Sequence, residues 1–371
     1  MADNSCIRSW VEVSSDSLRR NVLTIREKVG DNCSIIPMVK ADAYGLGVES
    51  TVPILEVCNP WGFGVATIEE GCHLRRIGVV KPVVVFSPVP YGSYEQALEA
   101  NLTVTLSNLE ALETWIAISK KFNITGHFQI EVDSGMGRAG FDWRTVSDWG
   151  KIVRVRSGQE NVFWSGTYTH FHSSDVDSDS STELQCERFL EATDNLNENA
   201  GMFHLSNSAA IFREPSVVTQ GVRPGIFIYG GQVGSGGSLP EEVVSLRARV
   251  VLVRNVSSNT TLGYGATYES TGKEKWAVLG IGYGDGLSRK LGNTGHALLQ
   301  GTRVPIIGRI SMDTIVVNVT DLVGVEVGDV ATLIGQDREE RITLDEMATL
   351  AETVSYEILT GLTSRLPRIL L

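Results

Sequence analysis

The sequence has no cysteine framework. Its 371 residues include five cysteines, which are scattered, odd in number and without the spacing of metal ligands: Cys6, Cys33, Cys58, Cys72 and Cys186. Secreted disulfide scaffolds carry an even, closely spaced set, whereas free cysteines persist in reducing compartments. The pattern therefore favours a reducing compartment, and it predicts no metal site.

An excess of basic charge is also absent. Lys and Arg total 32 against 44 Asp and Glu, which gives a net charge of -12. This balance argues against binding to nucleic acid or to anionic membranes. The first residues, MADNSCIRSWVEV, contain neither the basic nor the apolar region of a signal peptide, and no stretch approaches the ~20 apolar residues of a membrane span. We therefore expect a cytoplasmic protein.

Apolar strand-like segments alternate with amphipathic helical segments up to about residue 230. The first helix is predicted over 16–30, with Ser14 or Ser15 as its cap. Eight strands are predicted, namely IIPMVKA, WGFGVA, PVVVFSP, TVTL, HFQIEVDS, WSGTYTHF, MFHLSNS and GVRPGIFIYG. Buried strands joined by helices indicate a parallel sheet, and eight such units indicate a (β/α)8 TIM-type barrel, although a doubly wound sheet gives a similar pattern.

The sequence pattern changes after residue 240. Short β-branched segments such as RARVVLVRNV and DTIVVNV are separated by turns rich in Gly and Asn, and a helix is predicted near 343–360. This pattern is typical of a mostly antiparallel β domain. We therefore predict a barrel over 11–240 and a β domain over 241–371, with residues 1–10 as a candidate strand of the second domain.

One lysine stands out at the end of the first predicted strand. Lys40 follows the apolar residues IPMV, and barrel enzymes keep their chemistry at the carboxyl ends of the strands. A strand-end lysine that only reaches solvent is the simpler interpretation of its position alone. However, an amine held among Met38, Val39 and Ala41 can have a lowered pKa, which suits Schiff-base chemistry.

The ends of the later strands carry a set of residues that fits this chemistry. Glu131 and the GMGR loop with Arg138 follow strand five, and His170 ends strand six. Ser208 and the amides near Gly225 follow strands seven and eight, where barrels usually bind phosphate. A lysine facing a phosphate cradle predicts pyridoxal 5'-phosphate as cofactor.

The same residues carry a family resemblance. VKADAYGLG, VDSGMGRAG, THF, SNSA, VRPGIFIYG, GYGATY, GYGDG, GRISMD and SYE resemble, in order and spacing, the motifs of the alanine racemase family over nearly the whole chain. The resemblance implies a pyridoxal-phosphate barrel followed by a β domain. It also implies a head-to-tail homodimer, whose active sites combine the barrel of one subunit with the β domain of the other.

The resemblance assigns roles to individual residues. Lys40 is expected to form the internal aldimine, and Tyr264 is expected to come from the partner subunit as the second catalytic base. The remaining positions are expected to bind the cofactor (Tyr44, His170, Asn207, Ser208, Arg223, Gly225, Ile226 and Tyr356), to bind the substrate (Arg138 and Met312), or to support the site and its entrance (Glu131, Asp175, Tyr283, Arg289, Arg309 and Asp313).

These assignments predict a two-base racemisation. Lys40 on one face and Tyr264 on the other would remove and replace the Cα proton. Because a guanidinium keeps its protons, Arg223 would leave the pyridine nitrogen unprotonated and so limit side reactions. Alanine is the expected substrate, since Tyr356 occupies a position where serine racemases of the family often carry a smaller polar residue.

Three alternatives remain open from the sequence. The chain could be a serine or broader small-amino-acid racemase of the same family. The barrel alone also resembles non-catalytic pyridoxal-phosphate homeostasis proteins, but those lack a β domain with Tyr264 and Met312. The fold-related decarboxylases would be expected to place a carboxylate where Arg223 stands.

Glu131 departs from the family pattern. Many members carry a CO2-modified lysine there, which holds the arginine of the GMGR loop. Glu131 supplies a carboxylate without CO2 but is shorter, so we expect either a bridging water or anion, or a backbone shift towards Arg138.

Overall fold

The computed structural model describes residues 6–159, 161–176, 178–194, 196, 200–213, 217–234 and 238–371. Two sheets organise the chain, and they confirm the predicted fold class. The first strand, β1 (Ser9–Val13), belongs to the second sheet, where it pairs with strands near residues 247 and 369. The chain then enters the barrel. No helix in the described ranges is long and apolar enough to cross a membrane.

The first sheet is an eight-stranded parallel barrel. Its strands are β2 (Ser34–Ile35), β3 (Phe63–Val65), β4 (Val83–Val85), β5 (Thr103–Leu106), β6 (Gly126–Asp133), β8 (Val162–Tyr168), β9 (Met202–Asn207) and β10 (Gly221–Arg223), with β7 (Phe141–Asp142) pairing beside β6. The order β3-β4-β5-β6-β8-β9-β10-β2 follows the chain apart from β2. A parallel bridge between Met38 and Gly64 joins the two edges and closes the barrel.

Helices alternate with these strands. They are α1 (Ser15–Val29), α2 (Lys40–Tyr44), α3 (Val48–Val57), α4 (Ile68–Arg76), α5 (Tyr94–Glu99), α6 (Leu109–Phe122), α7 (Val146–Ser157), α8 (Ser181–Asp194) and α9 (Ser208–Phe212). The prediction of α1 is confirmed. Ser14 caps it by accepting a hydrogen bond from the Ser17 amide, and Leu18, Val22 and Ile25 form its buried face.

The second sheet is mostly antiparallel, as predicted. Its order is β19-β18-β15-β16-β17-β14-β11-β1-β20, and only β1 and β20 pair in parallel. The strands of this region are β11 (Val244–Val256), β12 (Thr261–Leu262), β13 (Tyr268–Glu269), β14 (Glu274–Leu279), β15 (His296–Leu299), β16 (Thr302–Ile307), β17 (Ile315–Asn318), β18 (Val330–Asp337), β19 (Glu340–Ile342) and β20 (Arg368–Leu370). β12 and β13 form a separate hairpin.

The predicted helix over 343–360 is two helices. These are α10 (Leu344–Leu350) and α11 (Ser355–Gly361). Glu352 lies between them with φ of 54°, a left-handed conformation that interrupts a right-handed helix. The break turns α11 towards the barrel rim, where it presents Tyr356.

The first and last predicted barrel strands are too long. The prediction extended strand one over 35–41, but β2 ends at Ile35 and only Met38 bridges to β3. Pro37 interrupts this segment because it has no amide hydrogen. Similarly, β10 ends at Arg223, and Pro224 is followed by a turn in which the Ile228 amide donates to the Gly225 carbonyl.

Candidate active site

A cavity of about 320 Å³ opens at the carboxyl ends of the barrel strands. Eight of the predicted site residues line it: Lys40, Tyr44, Glu131, Arg138, His170, Asn207, Arg223 and Tyr356. They come from segments that are far apart in sequence, and the barrel brings them to one rim. Apolar side chains, among them Met38, Val65 and Phe86, form part of the remaining wall. The cavity therefore combines a lysine, two arginines and three phenols in a single space.

Lys40 begins an unusual turn. The next four residues, Ala41 to Tyr44, have φ between 52° and 57°, so α2 is a left-handed helical turn. Each such residue costs about 1–2 kcal/mol relative to a right-handed helix. Two hydrogen bonds form within the turn, from the Ala43 amide to the Val39 carbonyl and from the Gly45 amide to the Ala41 carbonyl. Because strain of this kind persists only where surrounding contacts impose it, the turn is a candidate functional feature.

The environment of Lys40 favours its neutral form. The side chain reaches solvent through the open cavity, but the surrounding protein atoms lower its pKa by desolvation. The positive charges of Arg138 and Arg223 lower the pKa further, while Glu70 acts in the opposite direction. A lysine with a lowered pKa is a better nucleophile and proton acceptor near neutral pH.

Arg223 is buried and fixed by its terminal nitrogens. Nη1 lies 2.9 Å from His204 Nδ1, and Nη2 donates to the carbonyls of Thr169 (2.7 Å) and Leu205 (3.0 Å). Burial lowers the pKa of Arg223 to about 10, so the guanidinium still carries its charge at neutral pH. Nε is not among the donors of these bonds, which leaves it for a ligand.

The two histidines beside Arg223 are neutral. Since a guanidinium only donates, Nδ1 of His204 accepts, and its Nε2–H donates to Gln129 Oε1 at 3.0 Å. Burial and the charge of Arg223 hold the pKa of His204 well below its ordinary value. The same two causes lower the pKa of His170 to about 3. These rings therefore contribute shape and hydrogen bonds rather than positive charge.

Ser208 and Gly225 lie together behind the wall of the cavity. Ser208 Oγ accepts hydrogen bonds from the amides of Gly225 (2.8 Å) and Phe227 (3.4 Å). Tyr44 approaches so closely that a β-carbon on residue 225 would lie 2.2 Å from its phenol oxygen. Asn207 caps α9 through the Ala210 amide. The buried residue Ile226 continues the turn, so the residues of the predicted cradle lie next to one another.

Glu131 and Arg138 do not form an ion pair. Glu131 is only 3% exposed, and its Oε2 atom has no hydrogen-bond partner among the described residues. Burial raises the pKa of Glu131, and the charge of Arg138 partly opposes this. Glu131 and Arg138 are therefore not in direct contact, and the bridging water or anion and the backbone shift both stay predictions.

Of the predicted site residues of the β domain, Tyr356 lines this cavity and six others lie away from it. None of Tyr264, Tyr283, Arg289, Arg309, Met312 and Asp313 is among the residues that line it. They are exposed on turns that contact one another. The amides of Tyr283 and Gly284 donate to the carbonyls of Ser311 and Met312, and Asp313 pairs with Arg365 at 2.6 Å. Within one chain, Tyr264 is 66% exposed and does not meet Lys40 in the cavity.

Comparison with known proteins identifies the family. Residues 13–233 match the family model described as "Alanine racemase, N-terminal domain", and residues 243–370 match "Alanine racemase, C-terminal domain". The chain belongs to the alanine racemase family. The predicted family and enzyme class, an amino-acid racemase, are confirmed.

Individual members of the alanine racemase family match the chain over nearly its full length. The alanine racemases of Halothermothrix orenii and Methanococcus maripaludis are each 34% identical, and the matches cover 97% and 98% of this chain and 96% and 98% of theirs. The crystal structure of alanine racemase from Bartonella henselae with covalently bound pyridoxal phosphate superposes with a TM-score of 0.90. It is 27% identical and covers 98% of this chain and 99% of that one.

Two features of the site were not predicted from the sequence, namely the effect of Asp175 on Tyr356 and the presence of Gln129 beside Glu131. Asp175 was identified, but the effect of its charge on Tyr356 was not; together with burial it raises the pKa of that phenol. Gln129 was not considered as a site residue. It lies two residues before Glu131 on β6, so both side chains point to the same face of the strand, and both are buried. Two polar residues at alternate positions of a buried strand could have indicated a functional role. In the described part of the chain, no cluster of His, Cys, Asp or Glu could hold a metal ion.

Proposed function

We propose that this chain interconverts L- and D-alanine with pyridoxal 5'-phosphate bound in the barrel cavity. The observation that carries the proposal is the pairing of Lys40, with its lowered pKa, and the buried, charged Arg223 at one cavity. The pyridoxal phosphate that is covalently bound in the Bartonella henselae structure supports the choice of cofactor.

The residues of the cavity fit this cofactor. Lys40 would hold the aldehyde carbon, and Tyr44, Ser208, Gly225, Ile226 and Tyr356 would hold the phosphate. The absence of a β-carbon at Gly225 allows Tyr44 to approach the backbone, which is what a compact phosphate cradle requires. Arg223 would donate to the ring nitrogen from Nε, since its terminal nitrogens are already bonded.

The chemistry is divided between cofactor and protein. When bound, the cofactor lowers the energy of negative charge at the substrate Cα. Arg223 keeps its protons, so it would hold the ring nitrogen by a hydrogen bond without transferring a proton to it. Arg138 would bind the substrate carboxylate, and the neutral His170 would pack beside the ring.

Racemisation needs acid/base groups on both faces of Cα. Lys40 would remove the proton on one face, and its lowered pKa suits it to that step. Tyr264 would act on the other face. Because Tyr264 is exposed on the β domain and absent from the cavity of its own chain, we propose that it enters the cavity of a second copy in a homodimer.

The partner's β domain would complete the site in other ways. A phenol acts as a base only where nearby positive charge favours its ionised form. Arg309 lies against the Tyr264 loop, since a β-carbon on Gly265 would be 2.8 Å from Arg309 Nη1. Met312 would contribute its amide to the substrate carboxylate. Tyr283, Arg289 and Asp313 would form the entrance together with Asp175 of the barrel.

Chiral product analysis tests this proposal. Purified protein supplied with pyridoxal phosphate should convert L-alanine to D-alanine without releasing CO2, and Lys40→Ala should lose both activity and bound cofactor. Lys151→Ala removes an exposed lysine and serves as control. Faster turnover of serine would support the serine racemase alternative, CO2 release would support a decarboxylase, and cofactor binding without turnover would support a homeostasis protein. Full activity of Lys40→Ala would contradict the assignment of Lys40.

A further inference from the structure

Glu70 connects two neighbouring loops at the rim of the barrel. It lies in the first turn of α4, and the side chain of Thr67 caps this helix by accepting from the Glu70 amide at 3.2 Å. One carboxylate oxygen, Oε2, accepts from the amides of Ala66 (2.7 Å) and Thr67 (3.3 Å). These bonds form an ordinary capping box and leave the second oxygen free for another donor.

The second oxygen reaches the turn that carries Lys40. Glu70 Oε1 accepts a hydrogen bond of 2.7 Å from the amide of Ala41, the residue immediately after Lys40. Ala41 is also the first left-handed residue of α2. A single carboxylate therefore ties the loop after β3 to the start of the strained turn after β2, and it does so one peptide bond away from Lys40.

The far end of the same turn is also held by a charged side chain. Arg368, on β20 of the second sheet, donates to the Gly45 carbonyl from Nε (3.0 Å) and from Nη2 (2.7 Å). The left-handed turn is thus held at its first amide by an anion and at the carbonyl of Gly45, the residue that follows it, by a cation. Bonds to charged groups are about twice as strong as neutral ones, which suits them to imposing an unfavourable conformation.

We propose that Glu70 is a positioning residue for Lys40: its carboxylate fixes the start of the left-handed turn and supplies the negative charge that faces the lysine. The proposal rests on the proposed function only in taking Lys40 as the reacting amine. The groups that interact electrostatically with Lys40 come from four segments. They are Glu70 on α4, Arg138 after β6, His170 after β8 and Arg223 on β10. Four further titratable groups line the same cavity, namely Tyr44, Glu131, Tyr168 and Tyr356.

Glu70 is the acidic member of this set that raises the pKa of Lys40, whereas Arg138 and Arg223 lower it. Removing the charge of Glu70 should therefore move the protonation of Lys40 to lower pH. The substitution Glu70→Gln also replaces one of the two acceptor oxygens by an NH2 group, which cannot accept a hydrogen bond. The remaining oxygen is expected to keep the two amides of the capping box, Ala66 and Thr67. The Ala41 amide should therefore lose its partner.

The test compares Glu70→Gln with two matched controls. Glu69→Gln removes the neighbouring charge from the same helical turn without contacting Ala41, and Thr67→Ala removes the helix cap without removing Glu70. Both measurements use the full-length protein without cofactor. One is the pH midpoint of Lys40 acylation by acetic anhydride, read by peptide mass spectrometry against Lys151. The other is the hydrogen-exchange rate of the Ala41 amide.

We expect Glu70→Gln to lower the Lys40 midpoint by about half a pH unit or more. The Ala41 amide should exchange about tenfold faster, which corresponds to the loss of one charge-assisted hydrogen bond. Both controls should keep the parent values, although Thr67→Ala should melt at a lower temperature. The proposal is overturned if Glu70→Gln keeps the Lys40 midpoint or the Ala41 exchange rate of the parent protein. It is also overturned if Thr67→Ala changes these quantities as much as Glu70→Gln does. A separate racemase assay of the parent protein decides the proposed function independently.

Discussion

Tyr44 and Gly225 approach each other so closely that no side chain fits between them. A β-carbon on residue 225 would lie 2.2 Å from the phenol oxygen of Tyr44 and 2.9 Å from the ring carbon that bears it. Tyr44 has little room to move away, because its ring stacks on Tyr229 with centroids 4.6 Å apart. The contact joins the turn after Lys40 to the predicted phosphate cradle.

Gly225→Ala should therefore displace Tyr44 and weaken cofactor binding. Overpacking of this kind usually costs about 1–3 kcal/mol, which corresponds to an increase of roughly 5- to 150-fold in the Kd for pyridoxal phosphate if the whole cost falls on binding. Fluorescence titration with the cofactor measures the Kd. Gly92→Ala is the matched control, since its β-carbon meets nothing within 4 Å. Equal affinity of the two variants for pyridoxal phosphate would show that Gly225 does not contribute to cofactor binding.

Tyr264→Phe should retain the cofactor and lose racemisation. The variant keeps the aromatic ring but has no acid/base group on one face of Cα, so only the Lys40 face can exchange a proton. We expect a loss of about 100-fold or more in kcat, within the usual contribution of a general base. Solvent deuterium should enter Cα rapidly from only one of the two enantiomers. Equally fast entry from both enantiomers would contradict the two-base mechanism, and Tyr91→Phe controls for loss of a phenol elsewhere.

Tyr356→Asn should shift the substrate preference from alanine towards serine. Tyr356 lines the cavity from α11, and a smaller polar residue there would leave room and a hydrogen-bonding partner for a hydroxymethyl group. We expect the ratio of kcat/KM for serine to that for alanine to rise about tenfold, which corresponds to about 1.4 kcal/mol. Thr360→Asn, one turn further along the same helix and not among the residues that line the cavity, is the control. An unchanged ratio would show that Tyr356 does not determine the preference for alanine over serine.

Glu131 should make the enzyme independent of CO2. Because a carboxylate is already present in the side chain, activity should be the same in buffers with and without bicarbonate. Glu131→Gln should raise KM for alanine about two- to fivefold through a weaker field at Arg138, while the cofactor stays bound. Ser134→Ala, a neighbouring buried position, provides a control for local packing. Unchanged KM and kcat in Glu131→Gln would show that other groups position Arg138.

The same residue predicts a pH dependence of stability. Burial raises the pKa of Glu131 in the folded state above that of the unfolded chain, so the folded state binds more protons between the two values. Its contribution to stability is therefore present at low pH and is lost as the pH rises through the folded pKa. The parent protein should lose this stability as the pH rises, whereas Glu131→Gln has no such group to ionise. The melting temperature of Glu131→Gln minus that of the parent should therefore increase from about pH 4 upwards. A relative melting temperature that falls with pH would contradict the raised pKa.

Part of the cavity could be predicted from the sequence because barrel chemistry follows strand ends, although lining residues such as Phe86 and Tyr168 were not predicted. Lys40, Arg138, His170 and Arg223 each follow or end an apolar strand segment, and parallel strands deliver such positions to one rim. The strand limits were less predictable. β2 and β10 ended early at Pro37 and Pro224, since proline removes a backbone donor that a longer strand would need.

The sequence by itself determined the barrel pattern and the change near residue 240 from alternating strands and helices to short strands. It also determined that the chain carries the lysine, arginine and glycine that the cavity requires. Only the tertiary structure decided how Lys40 is presented. Local preference disfavours four successive left-handed residues, so the turn after Lys40 depends on contacts from Glu70 and Arg368. It also decided that Glu131 and Arg138 stay unpaired and that Tyr264 does not line the cavity of its own chain. The contacts of Glu70 and Arg368 with the turn join residues 29 and 323 positions apart, so their geometry is set by packing rather than by local sequence.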